Sequence, residues 1–370
     1  MLAFRKIWFM MSWPLGMAGL FLGCGSGELP TAVQQPQELY APFVKQGPVL
    51  DGRALDAVWQ KATGYRVFLD AKSGGVNLPA EGLLVDFKAV WWQETQIDTA
   101  RQDTLNVIYV GFLATWPDAS KSLQRKTWTY NPAESRWVRN SQGSDWLFLY
   151  WHGLSKDTDI WLWDAATTNP MGYFQDMTLE GFQSGRTIQP YLLRVDGLNF
   201  YNDAGTSRNT WDENYDDNRT PRDLSDDRPR YAWKNDPATT PPGLPPVYSD
   251  ASENRLFLLE SEAAPLAGSA YATPQAAVTV PGHVLETPSG GSADIRCYGR
   301  HENGRWTLEF VRKATGSENS DIPFNPKARF FSQVFSVVLG NDTPMPFEDG
   351  ATAFTITNTV QLTFQFVFEE

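Results

Sequence analysis

The C-terminal stretch Val360-Gln361-Leu362-Thr363-Phe364-Gln365-Phe366-Val367-Phe368 decides the fold class. Val360, Leu362, Phe364, Phe366 and Phe368 fall on one side of an extended chain, and Gln361, Thr363, Gln365 and Val367 fall on the other. A strand with one buried face has this period of two, and a helix does not. Similar short apolar runs recur at residues 83–92, 105–115, 146–151, 191–195, 294–298, 305–313, 330–339 and 353–357. Segments rich in Gly, Pro, Asn and Asp separate them. No stretch shows sustained helical periodicity. The expected class is all-β: an antiparallel β-sandwich of immunoglobulin-like or jelly-roll-like kind with long loop insertions.

Composition agrees with that class. The 370 residues include 22 Phe, 15 Trp and 13 Tyr, bulk of the sort that fills the interior between two sheets. The net charge of -12 argues against nucleic acid and against anionic membrane surfaces as partners.

At the N-terminus, Arg5 and Lys6 precede an apolar run over residues 7–22 that ends at Gly23-Cys24. Ser12, Pro14 and Gly16 interrupt the run, which suits a cleaved export signal over residues 1–23 better than a permanent membrane helix. Phe21-Leu22-Gly23-Cys24 resembles a lipobox, in which the cysteine is acylated and becomes the new N-terminus. Cys24 is therefore the expected lipidation site. The alternative is an ordinary signal peptide in which Cys24 has no role. Gly25 stands where an Asp would retain a lipoprotein in the inner membrane, so the expected location is the outer membrane or, without the lipid, the periplasm. With Cys24 acylated, Cys297 is the only remaining thiol and no intrachain disulfide can form. Residues 24–46 read as a tether and residues 47–370 as the body. An acidic and then Pro-rich insertion at 202–250 is expected to lie across one end of the sandwich.

Several segments, in order, carry a family resemblance. Leu50-Asp51-Gly52, residues 55–62 and the corner Trp116-Pro117-Asp118 are similar both to family 9 carbohydrate-binding modules and to the haem-binding domain of ethylbenzene dehydrogenase-like and dimethylsulfoxide reductase-like enzymes. The later segments separate the two. Asp159-Ile160-Trp161-Leu162-Trp163-Asp164-Ala165 resembles the second family's Asp-Ile-Trp-His-Trp-Lys-Ala block. Residues 280–285, 291–296 and 303–309, Arg312-Lys313-Ala314-Thr315-Gly316 and Asp321-Ile322-Pro323-Phe324 follow with similar spacing. The resemblance implies a b-type haem, held without covalent bonds, that passes single electrons to or from a partner oxidoreductase or multihaem cytochrome. Three departures matter. Leu162 and Asp164 replace the block's His and Lys. No Cys-x-x-Cys-His occurs, which excludes c-type attachment. Asn341-Asp342-Thr343-Pro344-Met345 stands where relatives often show His.

Haem iron takes thioether, imidazole or, in this family, amine donors within apolar walls. The candidates are Met171 in the matching block, His152 in the loop before it, Lys313 after the strand containing Trp306, and Met345. His283 and His301 read as surface loop residues. Trp161 and Trp163 share one strand face; the resemblance would have them border the haem edge, and otherwise they are core. The haem is expected at one end of the sandwich, in a dry, aromatic-walled slot enclosed by the double sheet. Asp212-Glu213-Asn214-Tyr215-Asp216-Asp217-Asn218 supplies oxygen donors of the kind calcium uses, without EF-hand spacing. No nucleophile elbow, zinc-protease signature, phosphate loop or dinucleotide fingerprint is present, so no turnover by this chain alone is expected. A second reading is a cofactor-free surface module that binds a glycan or an envelope protein.

Overall fold

The C-terminal strand forms over Val360–Phe364, burying Val360, Leu362 and Phe364 as the alternation requires, and ends short of the expected Phe368: residues 365–367 are half-buried outside any strand and Phe368 lies outside the described residues. It runs antiparallel to Ser332–Thr343 and parallel to Leu39–Ala41. This is a computed structural model, and it describes residues 38–98, 103–152, 157–180, 187–188, 200–202, 211–216, 225–248, 257–316, 321–329, 331–345 and 354–367. The export signal, Cys24, most of the tether and the strand expected at 191–195 lie outside the described residues. No helix among the described residues is long and apolar enough to cross a membrane.

Among the described residues the principal sheet has eight strands. Its path runs from Leu39–Ala41 through Val360–Phe364, Ser332–Thr343, Ser144–His152, Asp157–Asp164 and Gln175–Glu180 to Phe200–Asn202, and Gly75–Val76 pairs with Ser332–Thr343. A second, five-stranded sheet is ordered Arg296–Glu302, Arg305–Lys313, Asp103–Pro117, Leu83–Asp98, Tyr65–Leu69, all antiparallel. The hairpin joining its first two strands turns at Asn303-Gly304, with φ of 51° and 69°. Such a two-residue turn needs positive φ at both positions, and Asn-Gly tolerates it best.

The two sheets face one another across the main core, so the chain is an all-β sandwich. Leu147, Leu149, Trp151, Trp161, Trp163, Phe335 and Val337 come from the first sheet; Phe87, Phe112, Trp306, Leu308 and Phe310 come from the second. Each large side chain moved out of water here contributes about 1.5–3 kcal/mol. Phe112 stacks on Phe310 with ring centres 5.1 Å apart. A buried ion pair crosses the same interior, from Arg312 on the second sheet to Asp159 on the first.

The described parts of the 202–250 insertion are held by short ladders. Trp211–Glu213 pairs with His283–Leu285, and Tyr231–Trp233 pairs with Ala263–Pro265. A satellite apolar cluster forms there around Trp128, Trp137, Trp233, Val280 and Val284. Only short α-helices appear among the described residues, Ala57–Lys61 and Thr168–Met171.

Candidate functional site

Residues 144–151 of the strand Ser144–His152 are all buried, so both of its faces are covered. Asp145, Leu147, Leu149 and Trp151 point between the sheets. Trp146, Phe148 and Tyr150 point the other way, with Ile160 and Leu162 from the next strand, Met177 from the one beyond, and Val338 from the strand on the opposite flank. A second apolar layer therefore covers the outer face of the principal sheet. Met171, Met345, Phe257, Leu285, Phe354 and Ile356 belong to it.

This face carries three of the predicted iron donors, two of them together and His152 apart, at the opposite end of its strand from Ser144, which pairs with Thr343. Met171 and Met345 are buried in the same cluster, although 173 residues separate them in sequence. His152 continues the alternation Trp146, Phe148, Tyr150, and its Nε2 lies 2.8 Å from Ser336 Oγ. The Ser336 hydroxyl donates to the Asn358 carbonyl at 2.7 Å. Its single proton is thereby used, so Nε2–H of His152 must be the donor to Oγ, and Nδ1 carries the ring's lone pair. Burial pushes the His152 pKa down, which keeps the imidazole neutral at pH 7. Tyr150 is wholly buried and burial pushes its hydroxyl well above the ordinary value, so it stays protonated.

The Met171 turn is built rigidly. Asp164, in place of the family's Lys, accepts from the backbone N–H groups of Ala166 and Thr167 at 3.0 and 2.7 Å and from the Thr167 hydroxyl at 2.6 Å. It also bonds Ser144 and lies 3.4 Å from buried Arg125. Asn169 Oδ1 accepts from Trp163 Nε1 at 3.0 Å and from Gly299 N at 2.7 Å, while its Nδ2 donates to the Gly299 carbonyl and the Tyr248 hydroxyl. Gly172 ends the turn in the left-handed region at φ 78°. Asp164 is thus the anchor of the one-turn helix that carries the Met171 thioether.

The other candidates lie elsewhere. Trp161 and Trp163 are fully buried between the sheets, Trp161 with its ring centre 4.7 Å from Trp151 and Trp163 at 4.9 Å from Trp306. Among the described residues, aromatic side chains from both sheets pack around them, which is the core placement that the sequence offered as the alternative to a haem edge. Lys313 is exposed at the end of its strand in the second sheet, opposite Tyr109, and does not join Met171 and Met345. His283 is buried in a strand rather than on a surface loop, and His301 is half-buried on the second sheet with Nε2 2.9 Å from the Asp118 carbonyl.

Among the described residues, the expected calcium ligands Glu213, Asn214 and Asp216 each bond other partners. Glu213 is ion-paired with Lys126 and Arg139; burial works to raise its pKa, but the two cations hold it down at about 2. Asp216 pairs with Arg228, and Asn214 bonds backbone groups of Tyr231 and Pro281. Asp217 and Asn218 lie outside the described residues. A different carboxylate trio, Asp159, Asp176 and Asp321, does meet in the interior with ligand atoms within 4.8 Å of one another. Arg312 lies 3.0 Å from both Asp159 and Asp321, so a guanidinium occupies the cation's place there.

Missing from the sequence reading were Tyr150, Met177 and Phe257 on the outer face. Their available signal was the run Trp146-Leu147-Phe148-Leu149-Tyr150-Trp151, which is apolar on both sides of the strand and implies a layer over each.

The architecture thus defines a class: a two-sheet β-sandwich with a buried, thioether-bearing layer on the outer face of its larger sheet. Residues 152–334, just under half of the chain, match the family described as ethylbenzene dehydrogenase, and over that stretch the resemblance read from the sequence is shown. The match opens at His152 and closes at Val334, residues that pair with each other across two adjacent strands. The segments at 50–62 and 116–118 lie outside it. No curated protein matches the chain.

Proposed function

We propose that this chain is a haem b-binding electron-transfer protein or subunit, with the haem held at the outer face of the principal sheet. The observation that carries the reading is the burial of Met171 and Met345 together in one aromatic-walled layer on that sheet face, within a chain of which residues 152–334 match the ethylbenzene dehydrogenase family. The donor chemistry fits: thioether sulfur and unprotonated imidazole both offer a lone pair to iron, and apolar burial favours an uncharged macrocycle edge. Met171 and Met345 are the first donors in this reading and His152 the third. When bound, haem supplies one-electron oxidation and reduction.

This chain's own residues bind and orient. Trp146, Phe148 and Phe257 exclude water. The Asp164 and Asn169 bonds hold the Met171 thioether in place, and the Ser336 contact fixes the His152 tautomer. The chain carries out no turnover of its own and passes electrons to a partner oxidoreductase or multihaem cytochrome. Export, acylation at Cys24 and residence at the outer membrane or in the periplasm are part of the proposal and rest on residues 1–25.

The test is an absorption spectrum, oxidised and reduced, of full-length protein made with haem supply. A Soret band that shifts on reduction, and that weakens in Met171→Ala or Met345→Ala, is the expected result. Stoichiometric hemin addition that yields only the spectrum of free hemin overturns the reading.

A further inference from the structure

The satellite cluster around the insertion contains a feature that the electron-transfer reading does not use. Among the described residues, two clefts meet at Trp233. The larger, of about 390 Å³, is walled by Trp233, Tyr271, Pro237 and Val278, with Gln124 and Thr279 as its polar members and no charged side chain. Its size falls in the range of small-molecule sites, and its lining has their usual character of apolar walls with a few polar groups. The smaller, of about 120 Å³, is lined by Trp233 together with Lys234, Ser261 and Glu262.

Two polar atoms of these lining residues lack a hydrogen-bond partner among the described residues, although both are buried: the Trp233 indole nitrogen and Glu262 Oε2. One is a donor without acceptor capacity, the other an acceptor. Buried polar atoms are almost always satisfied, so an unmatched donor and an unmatched acceptor at one cleft ask for a group that can both accept and donate. A hydroxyl does both; a carboxylate, a phosphate or an ammonium does only one. Lys234 donates to the Ser261 carbonyl at 3.0 Å, and Glu262 Oε1 accepts from the backbone N–H of Gly243. The Trp233 and Tyr271 rings meet edge to face at 6.2 Å and present apolar C–H and π surface to the larger cleft.

The geometry points to a binding site for a neutral, hydroxylated ring, a pyranose unit of a glycan, that rests against Trp233 and Tyr271 in the larger cleft and extends one edge toward the smaller cleft that Glu262 lines. Aromatic walls suit the apolar faces of such a ring, and Gln124 and Thr279 suit its rim of hydroxyls. The site is independent of haem: its residues come from the insertion and from the segments paired with it, and none belongs to the thioether-bearing layer.

Saturation-transfer NMR on the full chain with methyl β-D-glucopyranoside, cellobiose and maltose tests this, and titration calorimetry gives the dissociation constant of whichever saccharide responds. Ala277 is exposed and lines the larger cleft, so Ala277→Trp plugs it without removing a buried contact. The expected result is saturation transfer to at least one neutral saccharide, with tenfold or greater weakening in Ala277→Trp and a several-fold loss in Glu262→Gln, while thermal unfolding and any Soret band stay unchanged. Absence of transfer to all three probes, or equal affinity in the plugged variant, overturns the proposal and leaves the haem reading untouched.

Discussion

Arg312 Nη1 donates to Asp159 Oδ2 at 3.0 Å with both side chains buried, so one ion pair joins the two sheets through the sandwich interior. The same carboxylate oxygen accepts the Ile322 N–H at 2.7 Å, and Arg312 also reaches Asp321 and lies over the Trp161 ring at 5.3 Å from its centre. Burial works to lower the Arg312 pKa, but the carboxylates around it more than reverse that and hold it fully protonated. Burial pushes the Asp159 pKa up, against the pull of Arg312.

Removing the guanidinium is therefore strongly destabilising. Arg312→Met leaves three carboxylates in low dielectric with no cation among them, and breaking a buried pair in this way costs about 3–5 kcal/mol. Arg312→Lys recovers only part of the loss, because a single ammonium lacks the planar fork that reaches Asp159 and Asp321 together. Urea unfolding midpoints check the order wild type, Lys, Met; a Met variant as stable as wild type contradicts it.

Asp145 predicts a pH dependence of opposite sign to the usual carboxylate. Burial, reinforced by the charge of Asp118, pushes its pKa up to about 7, although the Ser122 and Asp342 N–H groups and Trp306 Nε1 donate to it at 2.9, 3.1 and 3.0 Å. The folded chain then keeps a proton that the unfolded chain, with an ordinary value of 3.8, has lost. That contribution to stability is fully present below about pH 4 and fades as pH rises through about 7. Asp145→Asn removes it. The stability difference between variant and wild type, followed from pH 4 to pH 8, should move in favour of the variant as pH rises; a flat difference refutes the assignment.

The alternating strand that begins at Val360 was legible because its period is a local property, although it ends at Phe364 and not at Phe368. So was the 305–313 strand, whose bounds match the expected ones. The site was legible only in its residue types. Met171, His152 and Met345 were chosen for their lone pairs, but which side of a sheet they share depends on the pairing of Ser144–His152 with strands from both ends of the chain. Sequence spacing does not reveal that. Trp161 and Trp163 were ambiguous for a related reason: on a strand covered on both faces, an aromatic can belong to either layer, and register alone assigns these two to the interior. The calcium reading counted carboxylates near Glu213 without the cations Lys126 and Arg139, with which Glu213 is paired and which lie far from it in sequence.

Placing the haem at the outer face rather than between the sheets separates two variants. Trp161→Ala opens a cavity between the sheets and should cost about 3–5 kcal/mol in stability. It should leave the Soret position of the folded, haem-loaded protein unchanged, because Trp161 lies in the other layer. A Soret shift in Trp161→Ala comparable to that of Met171→Ala would return the haem to the interior.

Asn169 tests whether the Met171 turn is held for its thioether. Its side chain serves Trp163 and both backbone groups of Gly299, and it ties the one-turn helix to the second sheet through the strand Arg296–Glu302. Asn169→Ala strands those buried groups, a loss of about 1–3 kcal/mol for each donor or acceptor left unsatisfied. The helix then loses its fixed position under Met171, which itself remains present. If the turn exists to aim the sulfur, haem affinity in Asn169→Ala falls toward that of Met171→Ala and the reduced spectrum broadens, while His152→Ala, whose tautomer depends on Ser336 instead, shows no such broadening. Unchanged haem affinity in a folded Asn169→Ala protein would mean that Met171 packs the outer layer and binds nothing.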